Sequence, residues 1–304
     1  MPELPEVETV RRGLAELLPG KRIIGVDFDW PKSFPNAPED ISEFLIESKV
    51  TEVKRRAKVL LIELDSKYSL VIHLKMTGQL VYVRKLKSKV ESRKSKVSEE
   101  RFGAGHPNAS LISELPNKST RVTFDLNNRA KLFFNDQRKF GWVRLIPTAE
   151  VSNIDFFKKV GPEPLAADFT AKAFQGRLLK RPNTNIKAAI LDQSVIAGIG
   201  NIYADEGLWC AKIHPSRIIK NVPAAKLNTL FTCLRDVLQL SIDKGGSSDR
   251  NYVDAEGRRG SYLSFANVFR REGKPCPRCG TTIIKTRVAG RGTHICPKCQ
   301  KEPK

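Results

Sequence analysis

The chain has 304 residues, with 53 Lys and Arg against 33 Asp and Glu, a formal charge of +20 and 40% apolar positions. That balance suits a folded chain of about two domains plus a small appendage. The longest comparable apolar run, Val59-Leu60-Leu61-Ile62, is far below the roughly 18 to 20 residues of a membrane span, and the acidic N-terminus lacks a signal peptide's basic start and apolar core. Membrane insertion and secretion are therefore not expected, and a cytoplasmic location is.

The charge is concentrated. Residues 271–304 carry nine Lys and Arg against Glu272 and Glu302, and residues 84–101 carry eight against Glu91, Glu99 and Glu100. Such segments fit a polyanion, and nucleic acid is the obvious one, because each neutralised phosphate releases counterions. The rival reading is solubility alone.

In chain order, a helix is expected over Val7 to Leu18, led by Pro5, Glu6 and Glu8 and stopped at Pro19-Gly20. Strands follow at about 22–30, 50–56, 58–64, 69–75 and 79–84, then at Val122 to Leu126, Lys131 to Phe134 and Trp142 to Ile146. In the run 69–75, Leu70, Ile72 and Leu74 alternate with Val71, His73 and Lys75, which predicts a half-buried strand. Many short strands separated by turn residues point to an antiparallel sandwich or barrel. The stretch 84–101 is rich in Ser, Lys and Glu and reads as a mobile loop.

Beyond Pro147 the apolar period moves toward 3.6. Helices are expected at about 168–180, 186–192, 201–209 and 226–243, the last ended by Gly245-Gly246. A cleft between the two halves is the natural place for a duplex.

Near the C-terminus, Cys276-x2-Cys279 and Cys296-x2-Cys299 are separated by 16 residues. This is zinc-ribbon spacing: each Cys-x2-Cys knuckle turns two thiolates toward one tetrahedral ion. Thr281 to Val288 and Thr293 to Ile295 read as the hairpin strands between them. Four thiolates close the site, so the zinc is structural, and a unit of 30 residues depends on it for its fold. The cluster carries −2, which trims the working charge to about +18. Cys210 and Cys233 lie in helical patterns and read as ordinary core cysteines.

The most specific signal is the opening Met1-Pro2-Glu3-Leu4-Pro5-Glu6-Val7-Glu8-Thr9-Val10. Removal of Met1 before the small Pro2 would free a secondary amine beside Glu3 and Glu6. Such an amine can attack the sugar C1′ of a damaged nucleoside, and a neighbouring carboxylate can move protons at the sugar. Taken alone, the same ten residues read equally as a Pro- and Glu-rich helix start.

With these motifs in view, the chain resembles the bacterial formamidopyrimidine-DNA glycosylase family, the MutM type of the Fpg/Nei superfamily, over nearly its whole length. The resemblance rests on MPELPEVETV at 1–10, RRAK at 55–58, HLKMTG at 73–78, DQRKFG at 136–141 and GPEPL at 161–165. It continues through GIGNIYADE at 198–206, GGSSDRNYVDAEG at 245–257 and AGRG at 289–292 in the zinc hairpin.

It implies an α+β multidomain fold with a helix and β-sandwich domain at 1–147 holding a basic insert at 84–118, and a hinge at 148–160. A helix-two-turns-helix domain at 161–270 and a zinc hairpin at 271–304 would follow. Residue by residue, Pro2 matches the Schiff-base nucleophile and Glu3 the general acid of sugar opening, with Glu6 close to the lesion. Lys58 matches the proton donor of β-elimination, and Arg291 the residue assigned to δ-elimination. His73 and Asn201 match phosphate contacts, although His73 by itself reads as a surface or half-buried histidine and Asn201 as an N-cap. Met76, Arg138 and Phe140 match the trio that fills the void left by the everted nucleotide, where an apolar wedge recovers part of the unstacking cost. Arg181 is a further DNA-contacting candidate, and Ser247 to Asp254 resembles a loop that closes over the lesion base.

The implied activity is excision of oxidised purines from damaged double-stranded DNA followed by strand cleavage. The expected protein is monomeric, bacterial and nucleoid-associated, with one Zn2+ and no organic cofactor. Two rivals are a Nei-type enzyme for oxidised pyrimidines, which usually has Gly at the position of Leu4, and a non-catalytic zinc-containing DNA-binding protein. Lys75, Gln137-Arg138-Lys139 and Ser119 depart from the commonest family pattern, and the insert is longer and more basic than in many relatives.

Overall fold

The computed structural model describes residues 2–86, 99–106, 108–246 and 262–302. Most of the basic stretch and the 247–254 segment lie outside the described residues. The chain divides into two compact units, 1–157 with 245–260, and 158–244 with 261–304.

The first unit opens with helix α1 (Leu4–Leu17), whose Val7, Val10 and Leu14 are buried. After β1 (Ile23–Phe28) comes α2 (Pro38–Phe44). Eight strands follow: β2 (Val50–Arg56), β3 (Val59–Leu64), β4 (Tyr68–His73), β5 (Gly78–Lys85), β6 (Glu99–Gly105), β7 (Thr120–Leu126), β8 (Ala130–Asp136) and β9 (Trp142–Pro147). They form two wholly antiparallel sheets, ordered β1-β7-β8-β5-β6 and β2-β3-β4-β9. Alternate residues such as Leu80 and Tyr82, Val122 and Phe124, and Leu70 and Ile72 enter one shared core with the apolar stripe of α1.

Four expectations change here. α1 begins at Leu4 rather than Val7, because Glu3 and Glu6 form a reciprocal capping box that starts the helix early. α2, unassigned in the sequence reading, is set by Pro38 in its first turn. The ends of the supposed loop 84–101 are paired strand: β5 and β6 form a hairpin in which Arg84 opposes Glu100, with Nε 2.8 Å from its carboxylate. β4 is buried on both faces, not one, because Val151, Phe156 and Phe157 cover the side bearing Val71.

The second unit is helical: α3 (Asp155–Lys159), shared with the end of the first, then α4 (Ala171–Leu179), α5 (Ile186–Leu191), α6 (Asn201–Cys210), α7 (Ala224–Asp243) and α8 (Tyr262–Phe265). α6 is its axis, with Tyr203 through Trp209 all buried, so it shows little amphipathic period. Phe169 packs edge-on against Phe174 and Phe231, which tilt against each other between α4 and α7. The chain ends in a hairpin of β10 (Ile284–Val288) and β11 (Arg291–Ile295). The first strand starts three residues later than expected because Thr281 O instead accepts from Cys276 N, closing the first knuckle.

Cys210 and Cys233 are not free core thiols: they form a disulfide joining α6 to α7, their Cα atoms 5.8 Å apart. That separation is inside the disulfide range, and only the packing of the two helices creates it. Among the described residues no helix is long and apolar enough to cross a membrane.

Candidate active site and metal centre

In the first unit the candidate residues gather at three turns. Pro2 is buried immediately ahead of α1, and Glu3 and Glu6 are only 3% and 6% exposed. Glu6 Oε2 accepts from Glu3 N at 2.7 Å, while the Glu3 carboxylate caps the amide of Glu6. Two carboxylates are thus fixed within a residue or four of the proline by the demands of helix capping.

The second turn joins β2 to β3. Ala57 takes a positive φ of 54° there, and Lys58 follows it, 6% exposed. Arg55 anchors this turn. Its Nη1 donates to Ala57 O at 2.8 Å, and its Nε lies 3.0 Å from Glu8 on α1. Glu8 also holds Arg11 and Arg12; burial pushes its carboxyl up, and the Arg11 and Arg55 guanidiniums outweigh that and keep it below the usual carboxylate range. The helix that follows Pro2 and the turn that carries Lys58 are therefore locked together by Glu8 and Arg55. Both lie inside quoted motifs, yet the sequence reading gave Arg55 no role and Glu8 only a place at the helix start.

His73, at the end of β4 opposite Val59, is buried against Trp142 and Phe156. Burial first, then the positive charges of Lys75 and Lys58, push its pKa down to about 3. Its Nδ1 accepts from Lys75 N at 3.0 Å, so the neutral ring carries its proton on Nε2. A neutral N–H donor of fixed tautomer suits a phosphate oxygen.

The third turn, Gln137 to Gly141, carries the wedge candidates, and its organiser is Asp136, which is wholly buried. One carboxylate oxygen accepts from Phe140 N and Gly141 N at 2.8 and 2.7 Å; the other accepts from Thr77 Oγ1 and, at 3.2 Å, from Arg138 N. Thr77 follows Met76, so a single carboxylate brings Met76, Arg138 and Phe140 to one place. Phe140 is 52% exposed with the Arg138 guanidinium 4.7 Å over its ring, and Lys139 sits 4.4 Å over Trp30. A side chain at Gly141 would meet Phe134 at 2.8 Å, so the loop's close return needs glycine. Ser119 is buried, and its carbonyl accepts from Asp136 N.

In the second unit Asn201 is not the N-cap of α6; Gly200 is. Asn201 Nδ2 donates to Gly292 O at 2.9 Å, next to Arg291. Arg291 is exposed at the tip of the zinc hairpin, where Ala289 and Gly290 both take positive φ, as a two-residue turn between antiparallel strands requires. Beneath the tip lies fully buried Lys187, with Nζ 2.6 Å from Asp205 Oδ1, 2.7 Å from Thr293 Oγ1 and 3.3 Å from Gly292 O. Asp205 Oδ2 accepts from His294 N. Glu206 accepts from the amides of Asn267, Val268 and Phe269. The sequence reading missed Lys187 and left Asp205 and Glu206 without roles, because a buried ion pair from α5 to α6 has no local spacing signature. Arg181, after α4, is ion-paired with Asp192 and donates to Ser194 Oγ at 2.9 Å.

The Sγ atoms of Cys276, Cys279, Cys296 and Cys299 all lie within 4.8 Å of one another. A Zn–S bond of about 2.3 Å implies tetrahedral S–S edges of about 3.8 Å, so the cluster fits one zinc with small adjustment. Trp209 Nε1 donates to Cys276 Sγ at 3.4 Å and Arg278 stacks on the Trp209 ring at 3.9 Å, tying the knuckles to α6.

The sandwich with its carboxylate-capped first helix, the helical unit and the four-cysteine hairpin together define a zinc-hairpin protein of the helix-two-turns-helix class. Models of the formamidopyrimidine-DNA glycosylase N-terminal domain, of its H2TH domain and of the zinc finger found in FPG and IleRS match residues 1–143, 160–252 and 273–301. The chain belongs to the formamidopyrimidine-DNA glycosylase family. It is 43% identical over 301 residues to the formamidopyrimidine-DNA glycosylase of Chloroflexus aurantiacus, spanning 99% of this chain and 98% of that one. Against that of Pelotomaculum thermopropionicum the figures are 41% over 303 residues and 99% of each. The fold matches Lactococcus lactis Fpg, solved in complex with abasic-site DNA, with a TM-score of 0.83 and 33% identity over 99% of this chain and 100% of that one.

Proposed function

We propose that the protein is a base-excision-repair DNA glycosylase and abasic-site lyase that removes oxidised purines, 8-oxoguanine and formamidopyrimidines among them, from duplex DNA. Removal of Met1 exposes the Pro2 amine. Its nitrogen bonds to C1′, the N-glycosidic bond breaks, and the base leaves with the bonding electrons and takes up a proton. Glu3 protonates the sugar ring oxygen as the ring opens to the iminium. Loss of a C2′ proton expels the 3′ phosphate, and a second elimination expels the 5′ phosphate, with Lys58 and Arg291 as the proton-handling cations. Met76, Arg138 and Phe140 occupy the void of the everted nucleotide, while His73, Asn201 and Arg181 hold phosphates. Zinc bound by the four cysteines supplies the fold of the hairpin that carries Arg291 and takes no part in the chemistry.

The observation that carries this reading is the pair of buried carboxylates, Glu3 and Glu6, fixed by helix capping directly after Pro2. Borohydride reduction on a lesion duplex tests it. A covalent adduct is expected with the untagged protein and none with an N-terminally extended one; absence of adduct from both refutes it. The place of action is the cytoplasm, on the nucleoid of a bacterium.

A further inference from the structure

The unit that bears the zinc hairpin holds a second concentration of positive charge, at the end away from Asn201 and Arg291. A cavity of about 320 Å³ there is lined by Lys212, Arg217, Lys226, Lys298 and Lys301. These come from separate stretches: the turn after α6, the segment that follows it, the first turn of α7, and the second zinc knuckle with its exit. Folding assembles them, not a run of basic sequence. No Asp or Glu lines the cavity, the nearest negative groups being the Cys299 sulfur on its lining and Glu302, which acts on His214; among the described residues Lys212, Arg217, Lys298 and Lys301 form no ion pair with a carboxylate, so the five cations outweigh them. Lys226 Nζ donates to the Ala211 carbonyl, at 3.1 Å.

The floor is apolar, made by Ile213 and Val222, which are 3% and 6% exposed. His214, 7% exposed, lines the same cavity, and its Nδ1 accepts from Ser216, 2.6 Å from Oγ and 3.3 Å from N. The ring proton therefore sits on Nε2, leaving a neutral N–H donor. Cations on a rim, a neutral donor and an apolar floor form the complement of a phosphate attached to a compact organic body.

The location separates this cavity from the lesion chemistry. α6 spans ten residues, about 15 Å, with Asn201 at its first residue and Lys212 just past its last. Arg291 is at the hairpin tip, whereas Lys298 lies beyond the base pair Ile284–Ile295.

We infer that this cavity is a second phosphate-binding site, taking a phosphate ester of about nucleotide size. Two sources share that chemistry: a free nucleotide, or the backbone of the bound DNA well beyond the lesion.

The test uses the full-length zinc protein saturated with a 13-base-pair duplex bearing an uncleavable abasic analogue, so that the lesion site is filled. Tripolyphosphate is then titrated by calorimetry. One binding event is expected, weakened at least tenfold in Arg217→Gln/Lys301→Gln. It should change less than twofold in Lys49→Gln/Lys172→Gln, which removes the same charge elsewhere. Equal weakening in both variants, or none in either, overturns the proposal. Arg217→Lys/Lys301→Arg, with unchanged zinc content, should keep binding and guards against misfolding.

If the source is DNA, the Gln pair lowers the log–log salt slope for a 40-base-pair duplex by about one to two and leaves the 13-base-pair slope unchanged. If it is a free nucleotide, the slope stays and ADP displaces tripolyphosphate. Neither response also overturns the proposal.

Discussion

Asp136→Asn isolates the wedge loop from the rest of the protein. The native carboxylate is wholly buried and receives two backbone amides on one oxygen and a hydroxyl and a third amide on the other. An asparagine has the same shape but only one acceptor oxygen. If that oxygen serves Phe140 and Gly141, the new NH2 group faces Arg138 N–H, donor against donor, and that amide keeps only its bond to Thr77 Oγ1 at 3.1 Å; if it turns round, two amides lose their acceptor. Bonds to a charged acceptor are each worth about 1.5 to 3 kcal/mol, so the less damaging orientation still costs about 2 kcal/mol. That is about a 30-fold fall in the equilibrium constant for the loop posture that holds Arg138 and Phe140 in place. kcat/KM for 8-oxoguanine in duplex DNA should drop 10- to 30-fold, with a Tm lower by about 4 to 8 °C. Cleavage of a single-stranded abasic oligonucleotide has no void to fill and should change less than threefold. Equal loss on both substrates, or no loss on the duplex, would refute the assignment of Asp136 as organiser of the wedge.

Lys187→Met removes the contacts to Asp205, Thr293 and Gly292 and leaves the buried Asp205 carboxylate with the His294 donors alone and no cation, which costs about 3 to 5 kcal/mol; gels should show β-elimination product accumulating over β,δ product as the Arg291 tip loosens. Because the folded pKa of His73, about 3, is below its unfolded value, the unfolded chain binds more protons between pH 3 and 6.5, so stability falls as pH drops through that window and is flat above it. Between pH 7 and 5 that amounts to about 2 kcal/mol, and urea midpoints should show His73→Gln losing about that much less than wild type. Thiol titration of the unreduced, unfolded, metal-free chain should count four thiols rather than six, and reduction of the 23-residue Cys210–Cys233 bridge should cost about 3 kcal/mol. Stripping the metal should release one zinc per chain and abolish duplex binding; retained binding would show that the hairpin folds without it.

What the sequence reveals depends on whether a feature is local. The strand at Val122 to Leu126, the knuckle spacing and the Pro-Glu start are each written within a few residues of chain, and each points to its element, with the helix start displaced by three residues. Features made by contact between distant segments are silent. β6 opens with three charged residues and exists because it pairs with β5, so the Ser, Lys and Glu before it disguise it. The second face of β4 is covered by Val151 and Phe156, about eighty residues away, so alternation alone understates its burial. The disulfide, the Glu8–Arg55 lock and the Lys187–Asp205 pair are of the same kind: ordinary residues in their own helices and strands, defined only by their partners.

The charge of +20 takes on a different meaning once the acids are located. Several sit at the supports of the candidate site: Glu3 and Glu6 at the helix cap, Asp136 under the wedge, Asp205 under the hairpin tip, and Glu206 against three consecutive amides. All five are nearly or wholly buried, and the cations they support, Arg138 and Arg291, are exposed. Placing the negative charge inside, each group accepting from at least one backbone amide, fixes turn geometry without placing negative charge on the surface that faces phosphate. Neutralising such an acid should therefore damage geometry more than net charge. Asp136→Asn raises the formal charge by one, which favours DNA binding, yet it is expected to lower turnover. A variant that bound duplex more tightly and turned over equally fast would show that bulk charge, and not the posture of the loops, limits this enzyme.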